Sequence, residues 1–370
     1  MPANKKFRPV ISETPQSRAA IRGRGASWSP ANRFERLHVD LTETDVVDVS
    51  TEPEEMPQRA THYFRDGTRT IITHNTSPDV GFETSLNPYR GCEHGCIYCY
   101  ARPTHEYLGF SAGLDFESKI MVKTNAPELL RAELESVRWQ PQTLVLSGVT
   151  DPYQPVERKL RITRSCLEVL AQFRNPVAII TKNHLVTRDI DILRELAACN
   201  AAAVNVSVTS LDPTSQRVLE PRTTSPQGRL DTIGQLRAAK IPVGVMVAPI
   251  IPGLTDHELP KILDASAKAG AQFAGYTIIR LPWAVAPLFA HWLEEHFPDR
   301  KEKVLRRIRH LRGERLNNSQ WHKRMTGEGI FAEQIASLFK IACRRAGVVA
   351  RPTLSCKSFR GSTTQLSLFG

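Results

Sequence analysis

Gly91-Cys92-Glu93-His94-Gly95-Cys96-Ile97-Tyr98-Cys99-Tyr100 is the stretch of this 370-residue chain with the plainest chemistry, because three of the seven cysteines fall there with the spacing C-x3-C-x2-C. A loop with that spacing can present three thiolates to one inorganic centre. A structural zinc ion takes four ligands, and only His94 or His105 is close enough in sequence to supply the fourth. An iron–sulfur cluster is held by thiolates, and three of them leave one iron open to a small molecule. Ligand count favours the cluster over a zinc knuckle.

Such a loop needs a rigid frame, and the flanking periodicity predicts one. A short strand over residues 83–88 would set the loop at its C-terminal end. Asn125 and Glu128 read as a capping box opening a helix with Leu130, Leu134 and Val137 on one face. The strand Thr143–Ser147 follows, then a helix over 163–173 and the strand Val177–Thr181. A helix over 188–198 leads to the strand Ala203–Val208, and another over 228–239 to Val243–Val247. Thr255 and Glu258 read as a second capping box, before a helix carrying Leu259, Ile262, Leu263 and Ala267 inward and the strand Gly275–Ile279. Six strands alternating with helices predict a parallel sheet with right-handed crossovers. Periodicity leaves a partial barrel and a doubly wound sheet both open, although no Gly-rich phosphate loop follows the first strand.

Past Pro282 the pattern is helical, over 287–297, 299–312 and 330–346. Residues 299–315 hold eight Lys or Arg against three acids, with Trp321, His322 and Lys323 close behind. That suits phosphate contact with base stacking, and equally a solvated amphipathic face. Residues 1–36 carry eight Lys or Arg against two Glu, and residues 40–55 carry seven acids. The expected domains are a flexible arm over 1–60, a barrel over 61–282, a helical extension over 283–350 and a flexible tail over 351–370.

Composition narrows the class. Hydrophobic content of 41% and charged content of 24% are ordinary for a globular protein. No apolar run approaches a membrane span, and the N-terminal residues lack the apolar core of a secretory signal. Clustered rather than paired cysteines, and a reducing compartment for a cluster, make a cytoplasmic location the expectation. The net charge of +11 permits a polyanionic partner such as DNA.

C-x3-C-x2-C with an aromatic residue before the last cysteine resembles the radical S-adenosylmethionine (SAM) enzymes. The resemblance implies an α/β fold, a partial (β/α)6 TIM-like barrel. It also implies a [4Fe–4S] cluster on Cys92, Cys96 and Cys99 whose open iron takes SAM. An electron donor such as flavodoxin or ferredoxin would drive cleavage of SAM to a 5′-deoxyadenosyl radical. Asn87-Pro88-Tyr89-Arg90-Gly91-Cys92 and the run Ala248-Pro249-Ile250-Ile251-Pro252-Gly253-Leu254-Thr255-Asp256 resemble the group related to spore photoproduct lyase, which repairs a thymine lesion in DNA. On that likeness Tyr98 would lie against the adenine of SAM, and Tyr100 near the radical path. Thr150, Lys182 and Ser207 would hold SAM or substrate. Each of these last three falls at an expected strand C-terminus, where barrels do their chemistry.

The likeness departs at Gly148, where the lyases carry the cysteine that returns a hydrogen atom. Cys166 shares a helix face with Leu170 and Phe173 and reads as core; Cys199, Cys343 and Cys356 are unplaced. The expectation is therefore a relative of the lyases acting on a damaged or modified base in DNA. The alternatives are a radical enzyme acting on RNA, protein or a small molecule, and a non-catalytic iron–sulfur adaptor. Gln365-Leu366-Ser367-Leu368-Phe369 resembles the peptides by which bacterial repair proteins bind the DNA sliding clamp. In that likeness Gln365, Leu366, Leu368 and Phe369 are the anchors.

Overall fold

The protein is described by a computed structural model over residues 21–34, 60–348 and 351–361. Four short strands come first: β1 (His62–Arg65), β2 (Ile72–His74), β3 (Thr84–Leu86) and β4 (Tyr89–Arg90). Helix α1 (Leu114–Ser118), β5 (Lys119–Val122) and α2 (Ala126–Glu135) follow. Next come β6 (Leu144–Leu146), α3 (Glu157–Leu160), α4 (Ile162–Phe173), β7 (Val177–Thr181), α5 (Ile190–Ala198) and β8 (Ala202–Ser207). Then come α6 (Pro213–Leu219), α7 (Pro226–Ala238), β9 (Val243–Ile250), α8 (Leu259–Ala269) and β10 (Phe273–Ile278). Helices α9 (Val285–His296), α10 (Pro298–Leu311) and α11 (Ile330–Ala346) close the series.

The main sheet runs β10-β9-β8-β7-β6-β3-β2. Each strand from β3 to β10 pairs in parallel with the next in that series, and β2 caps the β3 edge antiparallel. Strand order never reverses, so this is one continuous winding and not the doubly wound alternative, whose order turns back at a switch point. It is a mixed α/β sheet of the partial-barrel kind, without closure. β6 and β8 are buried along their whole length, as strands covered on both faces must be. Leu167 and Leu170 of α4, Leu193 and Leu196 of α5, and Ile262 and Leu263 of α8 fill the layer outside it.

The six expected strands and the helices after them are present, with ends shifted by a few residues. Neither expected capping box forms. The Asn125 side chain makes no cap bond, and α8 starts only at Leu259. Thr255 instead accepts from the Ile251 amide, and Glu258 accepts from Ser210 and the Leu211 amide. For Glu258 a tertiary partner outcompeted the local cap. Val137 lies beyond α2 and is exposed. Cys166 is fully buried, as its helix face required.

Two expected flexible segments are in part packed. Within the expected arm over 1–60, residues 21–34 lie against the cysteine loop, with Ala26 and Asn32 buried. Basic composition was misleading there, because Arg24 finds buried partners. Within the expected tail over 351–370, the Ser355 amide donates to Asn200 and the Arg360 amide to Phe173, while Phe359 stacks on Phe173. Residues 365–369 lie outside the described residues. In the extension, Trp292 of α9 is buried against Phe289, and Phe339 of α11 packs on Tyr276 of β10.

Candidate active site

The cysteine loop leaves β4 and is gripped from behind. Glu117, at the end of α1 and fully buried, accepts from the backbone amides of Gly25 (3.0 Å) and Ala26 (2.9 Å). It also pairs with Arg102. Arg102 turns its other donors to the carbonyls of Cys96 (3.0 Å) and Gly95 (3.3 Å). Residues 24–26 thus form a strap over the loop. A Cβ on Gly25 would stand 1.7 Å from the Gly95 carbonyl oxygen, so only glycine permits this approach. Gln154 bonds the Glu93 amide and the Gly91 carbonyl, and Glu93 accepts from the Val156 amide and pairs with Arg222.

His94 pins the loop to the ends of the central strands. It stands between Asp151 (3.4 Å) and the Asn183 amide (3.2 Å). Asp151 also accepts from Thr181, the Lys182 amide and the Tyr153 amide. Burial works to raise the Asp151 pKa, but His94 and these donors hold it below the ordinary carboxylate value. Neither histidine is set up as a fourth zinc ligand: His105 is turned to the Lys119 carbonyl at 2.8 Å.

In front of the loop lies a cavity of about 450 Å³, at the C-terminal ends of the strands. Cys92, Cys96 and Cys99 line it, and so do Tyr98, Tyr100, Thr150, Lys182 and Ser207. The eight side chains singled out as cluster and cofactor candidates therefore share one wall system. Thr150 donates its hydroxyl to the Tyr89 carbonyl, and Tyr100 bonds the Gly148 carbonyl. Cys199, Cys343 and Cys356 do not reach the cavity.

Sequence reading missed the carboxylate at its base. Glu220, just past α6 and fully buried, takes hydrogen bonds from Tyr98 and Thr209 and pairs with Lys182 (3.1 Å) and Arg229. Burial alone would raise its pKa; Arg229 and Lys182 reverse that and hold it well below the ordinary value. Nothing in its local sequence marks it, because its partners come from 38, 9 and more residues away in different elements. Asn205, mid-strand on β8, was missed because its strand sequence does not show that its amide meets a cavity. Its side chain is 2% exposed, faces the cavity, and its Nδ2 has no hydrogen-bond partner among the described residues. An orphaned buried donor costs about 1–3 kcal/mol, a cost that a ligand acceptor removes.

These features fit a thiolate-held cluster with an organic cofactor beside it. Burial pushes all three thiols up, and for Cys92 and Cys96 the nearby carboxylates Asp151 and Glu220 add to it. A cationic multi-iron body would offset that cost, since a coordinating thiol is deprotonated. Among the described residues no three His, Cys, Asp or Glu side chains converge as a single ion would need. The thiols instead ring one end of the cavity.

Comparison with known proteins agrees with this geometry. Residues 86–265 match the family model of the radical SAM superfamily. An uncharacterized protein of Mycobacterium tuberculosis is 40% identical over 222 residues, 59% of this chain and 65% of that protein. The match thus spans less than two thirds of that relative's own length. A radical SAM Nalpha-GlyT isomerase of a Pseudomonas phage is 24% identical over 219 residues, 59% of this chain and 44% of that protein. Spore photoproduct lyase complexed with dinucleoside spore photoproduct shares the fold, with a TM-score of 0.53 at 15% identity over 77% of this chain and 80% of that one. Cysteine loop, sequentially wound parallel strands and family match fall on the same residues: this chain carries a radical SAM domain.

Proposed function

We propose that this chain is a radical SAM enzyme acting on a damaged or modified base in DNA. One observation carries the radical reading: the three thiols open onto the same cavity as Lys182, Ser207 and the unpartnered Asn205 amide. Cys92, Cys96 and Cys99 would hold a [4Fe–4S] cluster, which when bound supplies the electron for reductive cleavage of SAM. Asn205 and Ser207 would bond polar groups of SAM, and the Tyr98 ring would wall its base. Glu220 keeps Lys182 and Tyr98 in place, and the rear grip on the loop keeps water from the thiols.

The net charge of +11 and the lyase fold neighbour, solved with a dinucleoside bound, support a nucleic-acid substrate. Gly148 stands where the lyases place their hydrogen-donating cysteine, and the cavity's cysteines are the three cluster candidates. Product formation therefore ends differently from the lyase reaction. The phage relative's name is that of an isomerase, so net rearrangement is an outcome to look for beside bond cleavage. Recruitment by the sliding clamp through residues 365–369 belongs to the same reading; clamp binding that survives their deletion would remove it.

The test is 5′-deoxyadenosine release from SAM by anaerobically reconstituted protein with flavodoxin or dithionite as reductant. Release should rise when ultraviolet-irradiated or base-modified DNA is added. Release indifferent to every DNA tried would keep the radical enzyme and remove DNA as its substrate. Cys96→Ala should abolish both iron binding and release while the circular dichroism stays native; retained release would sink the cluster assignment.

A further inference from the structure

The two ends of the cavity differ in how their charge is balanced. At the base, Lys182 is paired with the buried Glu220, which also holds Arg229. At the wall beyond β10, Arg280 lines the cavity with its guanidinium 4.3 Å over the Tyr100 ring. It makes no ion pair or hydrogen bond among the described residues. The carboxylate on that side, Asp79, is taken by Arg324 and by the His322 amide. Arg312 spends both terminal nitrogens on the carbonyls of Ile278, Ile279, Lys323 and Arg324, and only its Nε is without a partner among the described residues. Arg351, from the C-terminal segment, lines the same cavity, again without an ion-pair partner among the described residues.

A half-buried guanidinium without a counter-charge is costly, and stacking on one tyrosine offsets only about 0.5–2 kcal/mol of that. Burial pulls Arg280 below the ordinary guanidinium value, and the like charge of Arg324 adds to the effect. Among the described residues no carboxylate completes this charge, which leaves the fork open to an anion in the cavity. Tyr100 fixes the plane of the fork, and a planar fork matches phosphate by two parallel hydrogen bonds. Tyr100 also bonds the carbonyl of Gly148, which sets Arg280 beside the position where the lyase likeness departs. We propose that Arg280, with the exposed Arg351 on the same cavity, is a subsite for a backbone phosphodiester of the substrate strand, holding the reacting base against the cysteine loop. This rests on the nucleic-acid reading above and adds a residue-level claim to it.

Anisotropy of a fluorescein-labelled short oligothymidylate, titrated anaerobically with the full reconstituted chain, tests it. A second oligonucleotide carries neutral methylphosphonate linkages. Arg280→Gln should weaken the phosphodiester strand about ten- to a hundredfold. It should also lower the slope of log affinity against log salt by about one. Binding of the neutral strand should be unchanged, and Arg280→Lys should recover part of the loss. Arg351→Gln should act in the same direction and less strongly. Wild-type-like binding of the charged strand by Arg280→Gln, with cluster absorbance intact, would overturn the subsite alone. A wild type that binds neither strand would overturn the subsite and the nucleic-acid reading together. A fall in unfolding temperature that accounts for the binding loss would place Arg280 in the fold instead.

Discussion

The rear and the front of the cysteine loop handle charge in opposite ways. Behind it, Glu117 is closed off by Arg102 and two backbone amides, and Arg102 spends its remaining donors on the carbonyls of Gly95 and Cys96 in the loop and of Ala112 and Gly113 before α1. In front, Arg280 and Arg351 face a cavity with nothing to pair with among the described residues, and Asn205 holds a donor with no acceptor. Satisfied buried networks rigidify a structure, whereas unsatisfied ones at a cavity wall are bound by something else. The difference teaches that the same segment has a structural side and a ligand side, and that variants should sort accordingly: rear changes in folding stability, front changes in ligand affinity.

Four measurements sharpen or break that division. Glu117→Ala leaves Arg102 buried without its counter-charge, and should cost about 3–5 kcal/mol in chemical denaturation; a loss under about 1 kcal/mol would deny the rear network its role. The second is a pH effect from the same side. His105 is fully buried, and burial pulls its pKa down to about 4. Because the folded value is depressed, the unfolded chain takes up the proton first. Stability is therefore intact above pH ~6.5 and falls by roughly 2–3 kcal/mol as pH drops towards 4. In apo-protein, His105→Gln should flatten that segment of the curve, and an unchanged slope would assign it elsewhere. Third, Gly25→Ala collides with backbone at Gly95 and should cost about 1–3 kcal/mol. It should also speed air bleaching of the reconstituted cluster; bleaching at the wild-type rate would show that the strap does not shield it. The smallest expected stability effect is at the front: Arg280→Gln should leave the unfolding temperature unchanged or slightly raised, since it removes a charge the fold does not pair. A drop comparable with Glu117→Ala would erase the distinction between the two sides.

Much of this was readable from the chain alone, for reasons that are local. C-x3-C-x2-C is a spacing within one loop, so the three thiols had to stay together whatever surrounded them. The alternation of aliphatic runs with helical faces announced the six parallel strands, and Thr150, Lys182 and Ser207 came with the rule that barrel chemistry gathers at strand C-termini. Length-limited patterns failed where they competed with distant partners. Thr255 and Glu258 have the spacing of a capping box, but Glu258 found Ser210 across the fold and Thr255 took the Ile251 amide in the preceding turn. Residues 21–34 read as arm from their basic composition and few large apolar residues, because one of the partners that holds Arg24 in place, the Glu117 carbonyl, lies 93 residues away.

The sequence by itself determined the cysteine loop, the order of the strands and the sign of the overall charge, since each depends on residue type and short-range spacing. Only the tertiary structure decided which charges cancel. Glu220 pairs with both Lys182 and Arg229 while Arg280 has no carboxylate partner among the described residues, and nothing in the neighbouring residues distinguishes a paired arginine from an unpaired one. Electrostatic energy depends on separation in space and on burial, and both are properties of the packed chain.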